Sequence, residues 1–253
     1  MPDHQMLPSN IDKVDWRLQT VTHLAEDWFN PWLGSIVPRG TRITTVGVVK
    51  LSKKKQLTIP IPNATAVMLS ASAKAYESAW SLRRDSEIDM TLKNEVSFKS
   101  ETLALDYIER MIEAIVLAYS AIEAFANESI PNDFVYAKHK HSEIVLEAIS
   151  KEKIERYIST DEKLISVLPE VLNCASPKGT HCWQNYKQLK DARDRIIHMK
   201  TEDRKSSGAE IDTVWKAIIL TSAPHLSAKA VVDHFVKSMN KKPRWSERFL
   251  QAV

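Results

Sequence analysis

The residues best suited to chemistry in this chain lie in Lys190-Asp191-Ala192-Arg193-Asp194-Arg195-Ile196-Ile197-His198-Met199-Lys200. Arg193 offers a charged, forked donor that suits phosphate oxygens. An imidazole such as His198 exchanges protons near neutral pH. Asp194, four residues before His198, could orient its ring. Together these types fit acid–base chemistry on a phosphate ester. The same string also reads as the polar face of a helix that happens to contain a histidine, since short motifs recur by chance.

The spacing predicts a helix from His181 to about Thr201. Leu189, Ala192, Ile196 and Met199 recur at three- and four-residue intervals and mark its core face. On an ideal helix Arg193 and His198 are splayed by roughly 140°. They converge only if the helix bends, if the arginine curls round, or if a second copy of the chain supplies the missing half. Lys190 sits one turn before Arg193 and Asp194.

The surrounding elements read as mainly α, with a C-terminal helical bundle and an N-terminal helix/β-hairpin extension. The chain has 253 residues, 43% hydrophobic and 26% charged, with a net charge of +3. Five scattered glycines exclude the clustered turns of a nucleotide-binding βαβ unit. The mild positive charge permits a nucleic-acid partner without requiring one. Cys174 and Cys182 form no paired motif and are expected as free thiols. No apolar run is long enough to span a bilayer and no leader is evident, so a cytoplasmic protein without membrane contact is expected.

Along the chain, Val14, Leu18, Val21, Leu24 and Trp28 predict a helix over 10–29. Thr41–Val49 and Gln56–Ile61 predict a hairpin around the turn Lys50-Leu51-Ser52-Lys53-Lys54-Lys55. Lys53, Lys54 and Lys55 could touch RNA phosphates. They could equally be a solvated turn that blunts a sheet edge. Ala64–Arg84 predicts a helix, and a boundary is expected near residue 95. This divides the chain into 1–95, an α+β region of unassigned role, 96–240, the bundle, and 241–253, a basic tail.

Within the bundle, Leu103–Asn127 has the strongest helical stripe, with Glu123 at its edge. Glu123 could position a residue of the motif or simply reach solvent. Glu143–Ile158 reads as an amphipathic helix. Ser159 and Ser207 each have capping-box spacing and are expected to open helices. Pro224 is expected to break or kink the second of these, and Leu226–Met239 to continue as helix. His139, His141 and Glu143 could bind a metal, but their neighbours are lysines, and neither a metal nor a cofactor is expected.

The run Tyr119-Ser120-Ala121-Ile122-Glu123-Ala124-Phe125-Ala126-Asn127, followed by Arg193, Asp194 and His198 late in the bundle, resembles the HEPN superfamily over residues 98–240. The resemblance implies a homodimer with motif helices facing each other. It further implies metal-independent RNA cleavage in a toxin or antiviral-defence setting, with an antitoxin or regulatory protein as a further partner. Arg193, Asp194 and His198 would then be catalytic, with Glu123 and Lys190 in support. The alternative is a helical module that dimerises and binds without chemistry.

Overall fold

The structure is a computed structural model that describes residues 14–31, 33–85, 96–140 and 146–252. It is mainly helical, with small antiparallel hairpins. The expected boundary near residue 95 falls at 86–95, outside the described residues.

The described residues open with strands, not with the helix expected over 10–29; 10–13 lie outside the described residues. β1 (Val21–His23) pairs with β4 (Arg42–Thr44), and β2 (Trp28–Asn30) pairs with β3 (Ser35–Val37). The apolar spacing there does suit a helix. However, Thr20-Val21-Thr22 is β-branched, and strand partners twenty residues away in sequence win over the local pattern. β5 (Val46–Lys50) pairs with β6 (Gln56–Pro60) around the lysine turn, in register from Val46–Pro60 to Lys50–Gln56. Pro60 is tolerated because this sheet has only two strands and so only edges.

α1 (Ala64–Asp85) starts where Asn63 caps it, its Oδ1 accepting the Ala66 N–H at 2.9 Å. Glu128, at the far end of α2 (Glu101–Glu128), reinforces the same terminus. Its carboxylate accepts the Ala64 N–H at 3.0 Å, the Thr65 hydroxyl at 2.8 Å and the Asn63 amide at 3.0 Å. A carboxylate there also complements the helix dipole. Asn63 donates onward to Gln19, so the clamp ties the hairpin region to the bundle.

α1 lies along α2 through small residues, including Ala66, Ala73 and Ala79 on one helix and Ala114, Ala118 and Ala121 on the other. Small side chains let the backbones approach closely, and the buried Ser72 hydroxyl donates to the Ala114 carbonyl at 2.6 Å. One hydrophobic core therefore runs on both sides of residue 95. It includes Leu69 of α1, Met111, Ile115, Ile122 and Phe125 of α2, and residues of every later long helix.

After α2 come β7 (Val135–Lys140) and β8 (Leu146–Ser150), then α3 (Lys151–Tyr157). Of the helix expected over Glu143–Ile158, the described part from 146 on is a strand followed by two turns of helix. Ile149 is buried from the strand and Ile154 from the helix. His139 falls on β7, while His141 and Glu143 lie outside the described residues. Ser159 caps α4 (Thr160–Glu162) as its spacing predicts, accepting the Glu162 N–H at 3.2 Å. A π-helical turn (Lys163–Val167) and α5 (Leu168–Leu172) follow, burying Leu164, Val167 and Leu168.

α6 (His181–Ile197) carries the motif and packs against α2, α7 (Val214–Leu220) and α8 (Pro224–Val236). Ser207 does not open α7; Thr213 caps it, accepting the Lys216 N–H. Pro224 starts a separate helix, as its missing N–H allows at a first helical position. The expected basic tail is α9 (Arg244–Ala252), in which Trp245 and Phe249 are buried. Their apolar area outweighs the flanking charge and draws the segment onto the core. Both cysteines are free. Among the described residues no helix is long and apolar enough to cross a membrane.

Candidate functional site

α6 starts at Thr180, whose hydroxyl oxygen accepts the Trp183 N–H. It ends one residue before His198, which is its C-cap with φ −116° and ψ 53° and donates its N–H to the Asp194 carbonyl at 2.9 Å. The helix expected as far as Thr201 therefore stops at Ile197. Two causes are visible. Ile196 and Ile197 are β-branched and poor helix formers. The chain beyond is also drawn back by Asp203.

Asp203 is buried. Its carboxylate accepts Arg195 Nη2 at 3.1 Å, the Lys200 N–H at 2.7 Å and the Val214 N–H at 2.8 Å. Its own carbonyl accepts the Trp215 indole N–H at 2.8 Å. The Arg195 guanidinium, with the backbone donors of Val214 and Lys200, holds the Asp203 carboxyl at about 2 against the opposing effect of burial. This one side chain staples the connection that follows His198 to both α6 and α7.

Arg193 and Asp194 meet directly, Nη1 to Oδ1 at 2.8 Å. The Arg193 guanidinium lies over the Tyr119 ring of α2, 3.8 Å from its centroid, a cation–π contact on a side chain that is still partly exposed. His198 is exposed. The Asp194 carboxylate pairs with Arg193, and the histidine's link to Asp194 is its backbone N–H to the Asp194 carbonyl.

Tyr119 stacks on Tyr186 of α6 with centroids 6.1 Å apart, and Tyr186 packs on Trp183 at 4.9 Å. The buried Tyr186 hydroxyl donates to Asp161 of α4. Burial, then the Asp161 bond, pushes the Tyr186 phenol up. Asp161 also accepts Lys190 at 2.8 Å and Lys187 at 3.3 Å. Burial alone would raise the Asp161 carboxyl; the bonds from Lys190 and Tyr186 and the two lysine charges outweigh it and leave it lowered. Burial would lower the Lys190 ammonium, but Asp161 leaves it raised. Both groups are therefore charged at neutral pH.

The structure thus gathers Arg193, Asp194 and Lys190 into one neighbourhood, with His198 at the end of the same helix. It does not bring Glu123 there. Glu123 is exposed, and the charge it acts on is Lys163, a buried ammonium that donates to Asn127 Oδ1 at 2.8 Å and to the Glu155 carbonyl at 3.0 Å. Burial lowers the Lys163 pKa, and the charges of Glu123 and Glu155 offset part of that. Lys53, Lys54 and Lys55 sit at the exposed β5–β6 tip, where the turn is held by Ser52 and Leu51. No hydrogen bond or ion pair joins them to α6 among the described residues. On the other flank of α6, an open groove of about 640 Å³ is lined by Asn185, Gln188, Arg195, Asp212 and Ser227. It lies on the Arg195 side of the helix and does not include Arg193. Among the described residues no group of three or more His, Cys, Asp and Glu side chains gathers for a metal.

Sequence reasoning did not single out Tyr119, Asp161, Tyr186 or Asp203 as parts of the site. Two had a signal. Tyr119 lies one turn before Glu123 on the long helix, and Asp161 lies inside the capping box that opens α4. Tyr186 had none, because Asp161 and Tyr119 are distant in sequence; Asp203 had none, because its partners Arg195, Lys200 and Val214 follow no periodic spacing. No family model, no curated protein and no solved structure matches the chain.

Proposed function

We propose that the chain is an endoribonuclease of the HEPN type that works as a homodimer and needs no metal. The observation that carries this reading is the end of α6. There a guanidinium held 3.8 Å from the Tyr119 ring centroid and an exposed imidazole stand five residues apart, with His198 as the C-cap, its backbone outside the helical region. Ile197, an apolar residue beside His198, is 55% exposed, which suits a surface covered by a second copy.

In the proposed reaction, neutral His198 takes the proton from a ribose 2′-OH. The 2′-oxygen attacks the adjacent phosphorus and the bond to the 5′-oxygen breaks. Protonated His198 of the second copy donates to that leaving oxygen. The products are a 2′,3′-cyclic phosphate and a 5′-hydroxyl. Arg193 stabilises the charge that grows on the phosphoryl oxygens.

The Arg193–Asp194 pair at 2.8 Å favours the competing reading, a binding module in which these two residues are a structural ion pair. Incubation of the purified chain with labelled RNA in excess EDTA separates the two. Cleavage is expected, with DNA of the same sequence left intact. His198→Ala is expected to lose about 10²–10⁴-fold in rate, the usual worth of a general acid or base. No cleavage by the wild-type chain would overturn the reading and leave the binding module; wild-type cleavage by His198→Ala would remove His198 as the acid–base group and overturn it as well.

A further inference from the structure

We infer that Lys187, Lys190 and Arg193 form a phosphate-binding track that leads one strand of single-stranded RNA to the His198 end of α6. This deepens the reading above and rests on it.

The three cations recur every third residue. Each step along α6 advances about 4.5 Å and rotates about 60°. The row therefore covers about 9 Å of axis and slants across the helix toward α2, where Arg193 meets Tyr119. None of the three heads is shut off from solvent. The side chains of Lys187, Lys190 and Arg193 are 40%, 25% and 25% exposed.

Their hydrogen-bonding capacity is also unspent. Asp161 is one carboxylate shared by two ammonium groups and the Tyr186 hydroxyl. One charge cannot neutralise two. Each ammonium carries three donors and gives one to Asp161. Arg193 gives one nitrogen to Asp194 and its face to Tyr119, which leaves the rest of the fork open. Asp161, Tyr119 and Asp194 thus hold three cations in place without using all of their donors. Such preorganisation reduces the ordering cost of binding.

A row on the convex surface of one helix meets one strand. Attack by a 2′-oxygen also needs that oxygen, the phosphorus and the leaving oxygen to come into line. A flexible strand reaches that geometry readily, and a stacked duplex resists it. The ligand class is therefore an unpaired polyribonucleotide recognised through its phosphates, without sequence readout.

The test measures binding of a labelled, unstructured RNA to the full chain carrying His198→Ala, by anisotropy across a salt series. Binding on this background is read independently of turnover, so loss of the cleavage reading and loss of the track are distinguishable. Each neutralised phosphate on a single strand contributes about −0.7 to the slope of log K against log salt. Lys187→Gln/Lys190→Gln is expected to flatten the slope by about 1.4, and Lys187→Arg/Lys190→Arg to keep it. If the double glutamine variant fails to melt cooperatively, the single variants carry the test, each flattening the slope by about 0.7. An unchanged slope in the glutamine variants, or no binding of RNA by the His198→Ala chain, overturns the track. Equal binding of a duplex with the same dependence on the lysines overturns the single-strand assignment.

Discussion

The hairpins before residue 63 and the helices after it treat apolar residues in opposite ways. On β2 and β3, Phe29 and Ile36 face each other across the ladder and are 59% and 67% exposed. On α2 and α8, Phe125 and Phe235 are sealed in the core with ring centroids 6.3 Å apart. This face of the β2–β3 hairpin has no second layer to cover it, and two-stranded units are marginal alone. A helix with a broad apolar stripe finds several partners. The comparison teaches that the bundle supplies the stability and the hairpins ride on it, so the rigid positioning of a site falls to the helices.

The contrast can be broken most directly at its two extremes. Phe125→Ala is expected to cost about 3–5 kcal/mol in urea unfolding, as for a fully buried ring. Ile36→Ala is expected to stay within about 0.5 kcal/mol. Equal losses would mean that the hairpins belong to the cooperative unit as fully as the bundle does.

A second measurement sharpens what the bundle contributes near the site. The Asp203 carboxyl is held at about 2, below the ordinary 3.8. A carboxylate lowered on folding stabilises the native state above its unfolded value, and that contribution is lost as pH falls from 3.8 toward 2. Asp203→Asn should therefore flatten the acid limb of stability over that window, followed by near-ultraviolet circular dichroism. An acid limb identical to wild type would remove Asp203 as the staple of the His198 connection.

A smaller loss than at Phe125 is expected at the clamp between the two regions. Glu128→Ala removes three bonds to the start of α1. A loss of about 1–2 kcal/mol is expected, the worth of a helix cap, read from the shift of the urea midpoint. Hydrogen exchange should speed up at Ala64 and Ala66 while the middle of α2 stays protected. Uniform speeding across α2 would mean that the clamp supports the whole bundle.

The long helices were legible because their patterns are local. The stripe of α2, the cap at Ser159 and the core face of α6 through Leu189, Ala192 and Ile196 all depend on residues within a few turns. Of the strand pairs only β5–β6 was legible, where two β-branched runs flank a polar lysine turn; β2–β3, joined by a link just as short, was hidden because Trp28 completes a helix-like apolar spacing. β1 was hidden because its partner β4 lies far along the chain and its own spacing imitates a helix. The tail misled for a different reason: its charges dominate the composition, whereas Trp245 and Phe249 decide its position. Within the site, residue types marked Arg193 and His198, but nothing local showed that Asp161 of α4 and Tyr119 of α2 would hold the cations.

Because the last helical residue of α6 is Ile197, with the His198 N–H closing the final turn, the separation of imidazole and guanidinium is governed by two geometries, one on each side of that residue. A residue inserted between Arg193 and Ile197 would turn everything beyond it by about 100° and carry the histidine to another side of the cylinder. One inserted immediately after Ile197 would only lengthen an irregular link already pinned downstream by Asp203. Chains that vary this spacing by a residue at the second position could preserve the same constellation, whereas variation at the first could not.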